Sequence, residues 1–376
     1  SISNRIPAAD KRAGAAVQAL GDAKTPAAKV AVVQILGNIP TAESLEALRK
    51  AVGNDDAGVS LAAVQAISAW PNGAVTSDLK GLLTSAKSSE ARGAAIGGYV
   101  RLVREAKLPA ADALAAYEEA LKAAQTPAEK KPVIAALATV PSKHAVELLE
   151  SLKGDAALAT DAGSGIVSVA RLVSGSDPSY AKEKITPYGA DDQPEAIKKP
   201  AKAALGLIDA FGDYITAWQV SGPYFEAGKD ARELFEMQFA PENAPKDAKW
   251  SIAPMANARP DSPELKPWTV DLGAIFEDQE RVAYLRTTLD SAKDQDLVLE
   301  LGTNDGCKAW LNGKQIHAWK EGRVLTPGQD KVPVTLKQGK NELMIAVYQQ
   351  GGGWAACARL ATKDGKPAAD VKATIE

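Results

Sequence analysis

The spacing of apolar positions changes once along this chain, near residue 212. Before that point apolar residues recur at i, i+3 and i+4, which lays one buried stripe along a helix. Leu45, Leu48 and Val52 make one such stripe, and Val146, Leu148, Leu149 and Leu152 another. After it they alternate at period two, the mark of strands with one face inward. Val332, Val334 and Leu336 alternate with Pro333 and Thr335, and Leu343, Ile345 and Val347 with Met344 and Ala346. The pattern predicts two domains, helical over 1–212 and all-β over 213–376.

The helical half repeats. Ala31 to Ala51, Leu61 to Leu83 and Pro132 to Lys153 each run from an apolar helix through a proline and a polar turn into a second amphipathic helix. A period in the thirties predicts a solenoid of helix pairs. Pro40, Pro71, Pro109 and Pro141 punctuate it, because proline lacks the backbone donor and clashes with the preceding turn. Asn54-Asp55-Asp56 before Val59-Ser60-Leu61-Ala62-Ala63-Val64 resembles the start of a HEAT repeat, and that resemblance covers about 8–212. Ser60 stands where that family commonly has an arginine. The stretch from Leu158 to Asp192 carries Gly163, Gly165, Gly175 and Pro187, so irregular helices are expected there. The resemblance implies either a concave surface for a protein partner or a scaffold for the next domain. His144, at a helix start, reads as a surface or capping residue.

In the β half, turn signals separate the runs. Asn312-Gly313 is the dipeptide preferred where both central residues take positive φ, so Ala309 to Leu311 and Gln315 to His317 are predicted to form a tight hairpin. Trp310, in a strand beside Leu311, is expected in the sandwich core. The five prolines between Glu242 and Pro267 predict a long surface excursion flanked by Trp250 and Trp268.

Trp218-Gln219-Val220-Ser221-Gly222-Pro223-Tyr224-Phe225, Leu301-Gly302-Thr303-Asn304-Asp305-Gly306, Ala309 to Gly313, Leu336 to Leu343 and Gly352-Gly353-Trp354 through Leu360 resemble the galactose-binding-like jelly-roll modules. The resemblance spans about 213–362 and implies an antiparallel β-sandwich of the kind found in secreted, periplasmic or cell-surface bacterial multidomain proteins. It also implies carbohydrate as a ligand, at loops or on one face, with bracing of a neighbouring domain as the other role. Sugar rings stack on aromatic faces, and their hydroxyls need amide, carboxylate or guanidinium partners. Trp319, expected in a loop with Arg323, and Trp354, after three glycines, are the stacking candidates. Asn304 and Asp305 offer oxygens to a hydroxyl or a calcium ion, although a plain turn accounts for both.

Composition sharpens the division and narrows the chemistry. Of the 7 tryptophans only Trp70 precedes the break. A net charge of −3 over 376 residues gathers no phosphates, so nucleic acid is not an expected partner. The apolar run Val30 to Leu36 is far short of the ~20 residues that span a bilayer. A start at Ser1 fits either removal of a secretory signal or a boundary of another kind. Cys307 and Cys357 fit a disulfide and two buried free thiols equally. The 2 histidines and 2 cysteines show no ligand spacing in sequence, so no metal, haem, cofactor or histidine-based triad is expected. Pairs such as Asp294 and Asp296 are too common to assign to glycoside hydrolysis. The sequence therefore favours a non-catalytic, carbohydrate-associated binding and scaffold protein. A structural or assembly protein, and an accessory region of a glycoside-processing enzyme, are the alternatives.

Overall fold

The computed structural model describes residues 9–255, 265–276 and 281–375. Among them, twelve α-helices between Ala9 and Asp209 precede eleven strands, so the architecture is helical repeats followed by antiparallel sheets in a sandwich-like arrangement. The chain forms two compact units, Ser1–Ala138 with Leu152–Ala162, and Thr139–Ser151 with Gly163–Glu376.

In the first unit the helices Pro26–Gly37, Ala57–Ser68, Ser89–Glu105 and Pro127–Leu137 pack in succession, joined by return helices. Their starts are encoded locally. Thr25, Asp56, Ser88 and Thr126 sit at the N-caps and accept the N–H of Ala28, Val59, Ala91 and Glu129, each cap contributing about 1 kcal/mol. Small residues set the packing distance. A Cβ on Gly37 would lie 2.9 Å from Ala66 Cβ, and one on Gly98 2.7 Å from the carbonyl oxygen of Ser68. Ser60, in place of the arginine, donates to the carbonyl of Val52 at 2.6 Å.

One buried carboxylate ties two successive repeats. Glu129 is 3% exposed and accepts from Arg92 Nε and Nη2 at 3.1 and 3.0 Å, Ser89 Oγ at 2.7 Å, and the N–H groups of Gln125 and Thr126 at 2.6 and 3.2 Å. Burial pushes its pKa up, but the donors together outweigh burial and hold it at about 2.

The second unit carries the sandwich. Its strands are β1 Gln219–Tyr224, β2 Ser251–Ile252, β3 Val270–Asp271, β4 Val282–Ser291, β5 Gln295–Thr303, β6 Cys307–Leu311, β7 Lys314–Trp319, β8 Asp330–Leu336, β9 Gly339–Tyr348, β10 Ala355–Ala361 and β11 Val371–Thr374. The larger sheet has the order β2-β1-β4-β9-β6-β7, with β11 also on β4, and the smaller one β3-β10-β5-β8. The alternating apolar residues of β8 and β9 are buried as their period predicts, and Leu297, Leu299 and Leu301 of β5 follow the same rule.

Several expectations are corrected. Ala159–Val173 is a regular helix through Gly163 and Gly165, because Gly163 answers a packing need: a Cβ there would lie 2.8 Å from Tyr188 Cε1. The segment after Glu242 is not wholly a surface excursion. Its Ser251–Ile252 pairs with β1, and Ala253 and Met255 are buried; residues 256–264 lie outside the described residues. Trp310 is buried on the opposite face of its sheet from Cys307. There it packs with Tyr284 and Tyr348 beneath Leu234 and Phe235 of a short covering helix, Ala231–Phe235. Cys307 and Cys357 are both free and buried, one in each sheet.

Candidate functional site

The site lies where the end strand of the larger sheet, β7, meets the end strand of the smaller one, β8. The Asn312-Gly313 turn forms as predicted, with φ of 52° and 76°. The register beyond it does not follow a plain hairpin. Leu311 faces Lys314 and Trp310 faces Gln315, but Ala309 then faces His317, and Cys307 faces Trp319. Ile316 is the extra residue of a β-bulge. In an unbroken ladder His317 would pair with Lys308 and lie on the covered outer face. One added residue moves every later side chain to the other side, so His317 and Trp319 join Cys307 on the face between the sheets.

Arg323 organises the cluster. Its Nη1 donates to Asp330 Oδ1 at 2.9 Å, and its Nη2 donates to Asp330 Oδ2 and, at 2.7 Å, to Thr303 Oγ1. Nη2 also lies 3.6 Å from Cys307 Sγ, and the guanidinium carbon lies 5.2 Å from the centre of the Trp319 ring. Burial raises the Asp330 pKa, but Arg323 first and His317 second outweigh it and hold the carboxyl below its usual range. His317 Nε2 lies 3.2 Å from Asp330 Oδ2, out of line for a hydrogen bond, and among the described residues it has no hydrogen-bond partner.

A cysteine, a histidine and an aspartate in contact are the residue types of a thiol nucleophile with its base and orienting group. Here Cys307 has no exposed surface, and burial pushes its thiol up to about 11. At neutral pH it is a buried thiol, the opposite of the exposed thiolate that such chemistry requires.

Of the sequence candidates, Trp319, Arg323 and Asp305 come together. Trp319 is 42% exposed, at the end of β7 and not in a loop. Asp305, at φ 64°, fastens the segment between β7 and β8. Its N–H donates to the carbonyl of Arg323, while its carboxylate accepts the N–H groups of Arg323, Gln350 and Gly351 at 3.3, 2.7 and 3.2 Å. That carboxylate acts as a turn staple, with its acceptor positions taken by backbone. Asn304 lies in the same turn, its N–H donating to the carbonyl of Ala355. Trp354 is placed otherwise than expected: it is 3% exposed, its indole donates to the carbonyl of Val347 at 3.2 Å, and its ring lies against Phe276. The glycines before it do bend the chain, Gly352 at φ 71°, but they turn the ring inward.

Thr303, Cys307, His317 and Asp330 are the residues that sequence reasoning missed. Cys307 to His317 spans a hairpin and Asp330 comes from the other sheet, so no spacing rule joins them.

Residues 14–98 match a family model described as HEAT repeats. No curated protein matches the chain. Among solved structures, a PA14 domain of the MpAFP antifreeze protein is 10% identical, covering 25% of this chain and 52% of that one at a TM-score of 0.21. A PA14 sugar-binding domain from an RTX adhesin is 14% identical, covering 43% and 74% at 0.22. Human deoxyhypusine hydroxylase in complex with glycerol is 14% identical, covering 53% and 84% at 0.22. Such low structural scores carry no argument. The class defined by fold and family model is a helical-repeat protein, HEAT-like at its amino end, with an antiparallel β-sandwich at its carboxy end.

Proposed function

We propose that this protein is a non-catalytic carbohydrate-binding and scaffold protein of a secreted, periplasmic or cell-surface setting. The sandwich holds the sugar at the β7 edge, and the helical repeats hold the module in place. The observation that carries the reading is Trp319, a part-exposed indole braced by a part-buried, ion-paired arginine. An aromatic face held rigid beside fixed polar groups costs little ordering when a sugar ring stacks on it. Exposed charged groups next to it in the chain, Glu321 with Arg232 and Lys320 with Glu236, offer partners for hydroxyls. The buried Cys307 thiol speaks against a cysteine nucleophile at this edge.

Calorimetric titration of the full chain with a panel of plant and algal polysaccharides tests this. Heat that saturates with at least one of them, and that Trp319→Ala removes, supports the reading. Binding that Trp319→Ala leaves unchanged places the sugar elsewhere.

A second reading, assembly through a protein partner, is favoured by an open groove of about 480 Å³ in the repeat unit, lined by Val17, Leu20, Ala47 and Val59 with Glu43 and Lys50. Silence across the polysaccharide panel, with a concentration-dependent rise in mass, favours that reading. Release of reducing sugar favours an accessory region of a glycoside-processing enzyme.

A further inference from the structure

We infer that Cys307, His317 and Asp330 form a binding site for a single borderline divalent transition ion, zinc being the natural case, which takes the place now held by the Arg323 guanidinium. The inference does not rest on the carbohydrate reading, although both involve Arg323, which pairs with Asp330 beside Trp319 when no ion is bound. One potential ligand atom from each of the three residues lies within 4.8 Å of the other two. Zinc bonds of about 2.0–2.3 Å set tetrahedral ligand atoms roughly 3.3–3.6 Å apart, so side-chain rotations of about an ångström close the set. Thiolate, imidazole and carboxylate together suit zinc and its neighbours and not calcium or magnesium, which take oxygen ligands.

Three features of the cluster point the same way. The residues stand on β6, β7 and the first position of β8, so two sheets hold them. Sites built on strands keep their geometry better than sites on loops. The β-bulge at Ile316 turns His317 toward Cys307, and bulges recur where a strand re-aims a side chain for function. His317 Nε2 is buried, and among the described residues its one polar contact is the ion pair with Asp330 Oδ2 at 3.2 Å, with no well-aligned hydrogen bond.

Arg323 already shows that the place accepts positive charge, since its guanidinium contacts both Asp330 and Cys307. Charge balances in the exchange. The metal-free cluster holds one guanidinium, one carboxylate and a neutral thiol. The metal-bound cluster holds one divalent ion, the same carboxylate and a thiolate. The thiol proton leaves to water, and Arg323 moves outward toward the exposed Trp319 ring it already approaches. Three protein ligands leave a fourth position to water.

Cobalt(II) is the probe, added to the reduced, metal-stripped, tag-free full chain while the sulfur-to-cobalt charge-transfer absorption is followed. The expected result is a band that saturates at one equivalent and is removed by zinc. Cys307→Ala abolishes it, and Cys357→Ala, at the other buried thiol, leaves it intact. His317→Gln, on an end strand, weakens cobalt binding by at least about tenfold. Arg323→Met tightens it, because the competing cation is gone. Far-UV circular dichroism establishes that each variant is folded. Absence of the band in the folded parent, its persistence in Cys307→Ala, or an unchanged affinity in folded His317→Gln would each overturn the inference.

Discussion

Two largely shielded ion pairs, one in each compact unit, do different things with the same chemistry. Glu129 in the repeats faces Arg92, and Asp330 in the sandwich faces Arg323. Around Glu129 the carboxylate is ringed by a hydroxyl, a guanidinium and two backbone N–H groups, so its acceptor capacity is filled by its own repeats. Around Asp330 the accounting stays open: a histidine nitrogen without a hydrogen bond, a buried thiol and a half-exposed tryptophan stand beside the pair. A polar network that satisfies itself specifies structure, whereas one with capacity left over is where a ligand has something to gain.

The contrast can be broken most forcefully at the tryptophans. Trp354→Ala empties a buried site and should cost about 3–5 kcal/mol of unfolding free energy, read by denaturant titration of the full chain. A loss below about 1 kcal/mol would mean that Trp354 does not hold the core. Next comes Glu129→Ala, which strands Arg92 and should cost about 3 kcal/mol or more. Its pH signature has a definite sign. The folded carboxyl is held at about 2, below its ordinary value of 4.5, so its contribution is complete above pH 4.5 and lost as pH falls toward 2. The parent should therefore lose more stability than folded Glu129→Gln between pH 4.5 and pH 2, and parallel losses would remove Glu129 from that role. Asp56→Ala removes an N-cap and should cost about 1 kcal/mol, seen as a small fall in the denaturation midpoint. Trp319→Ala should change stability least, by well under about 1 kcal/mol, since the ring is part-exposed at a strand end.

Much of the fold was legible because it is written in local signals. Threonine, aspartate and serine caps, the proline stops and the leucine alternation of β5, β8 and β9 each act within a few residues. The Asn312-Gly313 turn was legible for the same reason. The site was only partly so. Trp319 and Arg323 stood out as residue types, but nothing in Gln315-Ile316 announces the bulge that decides which way His317 and Trp319 face. Trp310 and Trp354 illustrate the converse. Turn glycines and strand neighbours fixed where their backbones go, while the side of burial depended on residues 225–250 and on Phe276, which only the folded chain brings near. Cys307 and Asp330 meet across two sheets, beyond the reach of any sequence spacing.

Electrophoresis of the parent and of Trp319→Ala through native gels cast with each polysaccharide tests most directly whether the β7 edge holds a sugar. If Trp319 is the stacking face, at least one polysaccharide retards the parent, and Trp319→Ala, equally stable, runs as it does in a plain gel. Equal retardation of both proteins, or none of the parent in any polysaccharide, would contradict it.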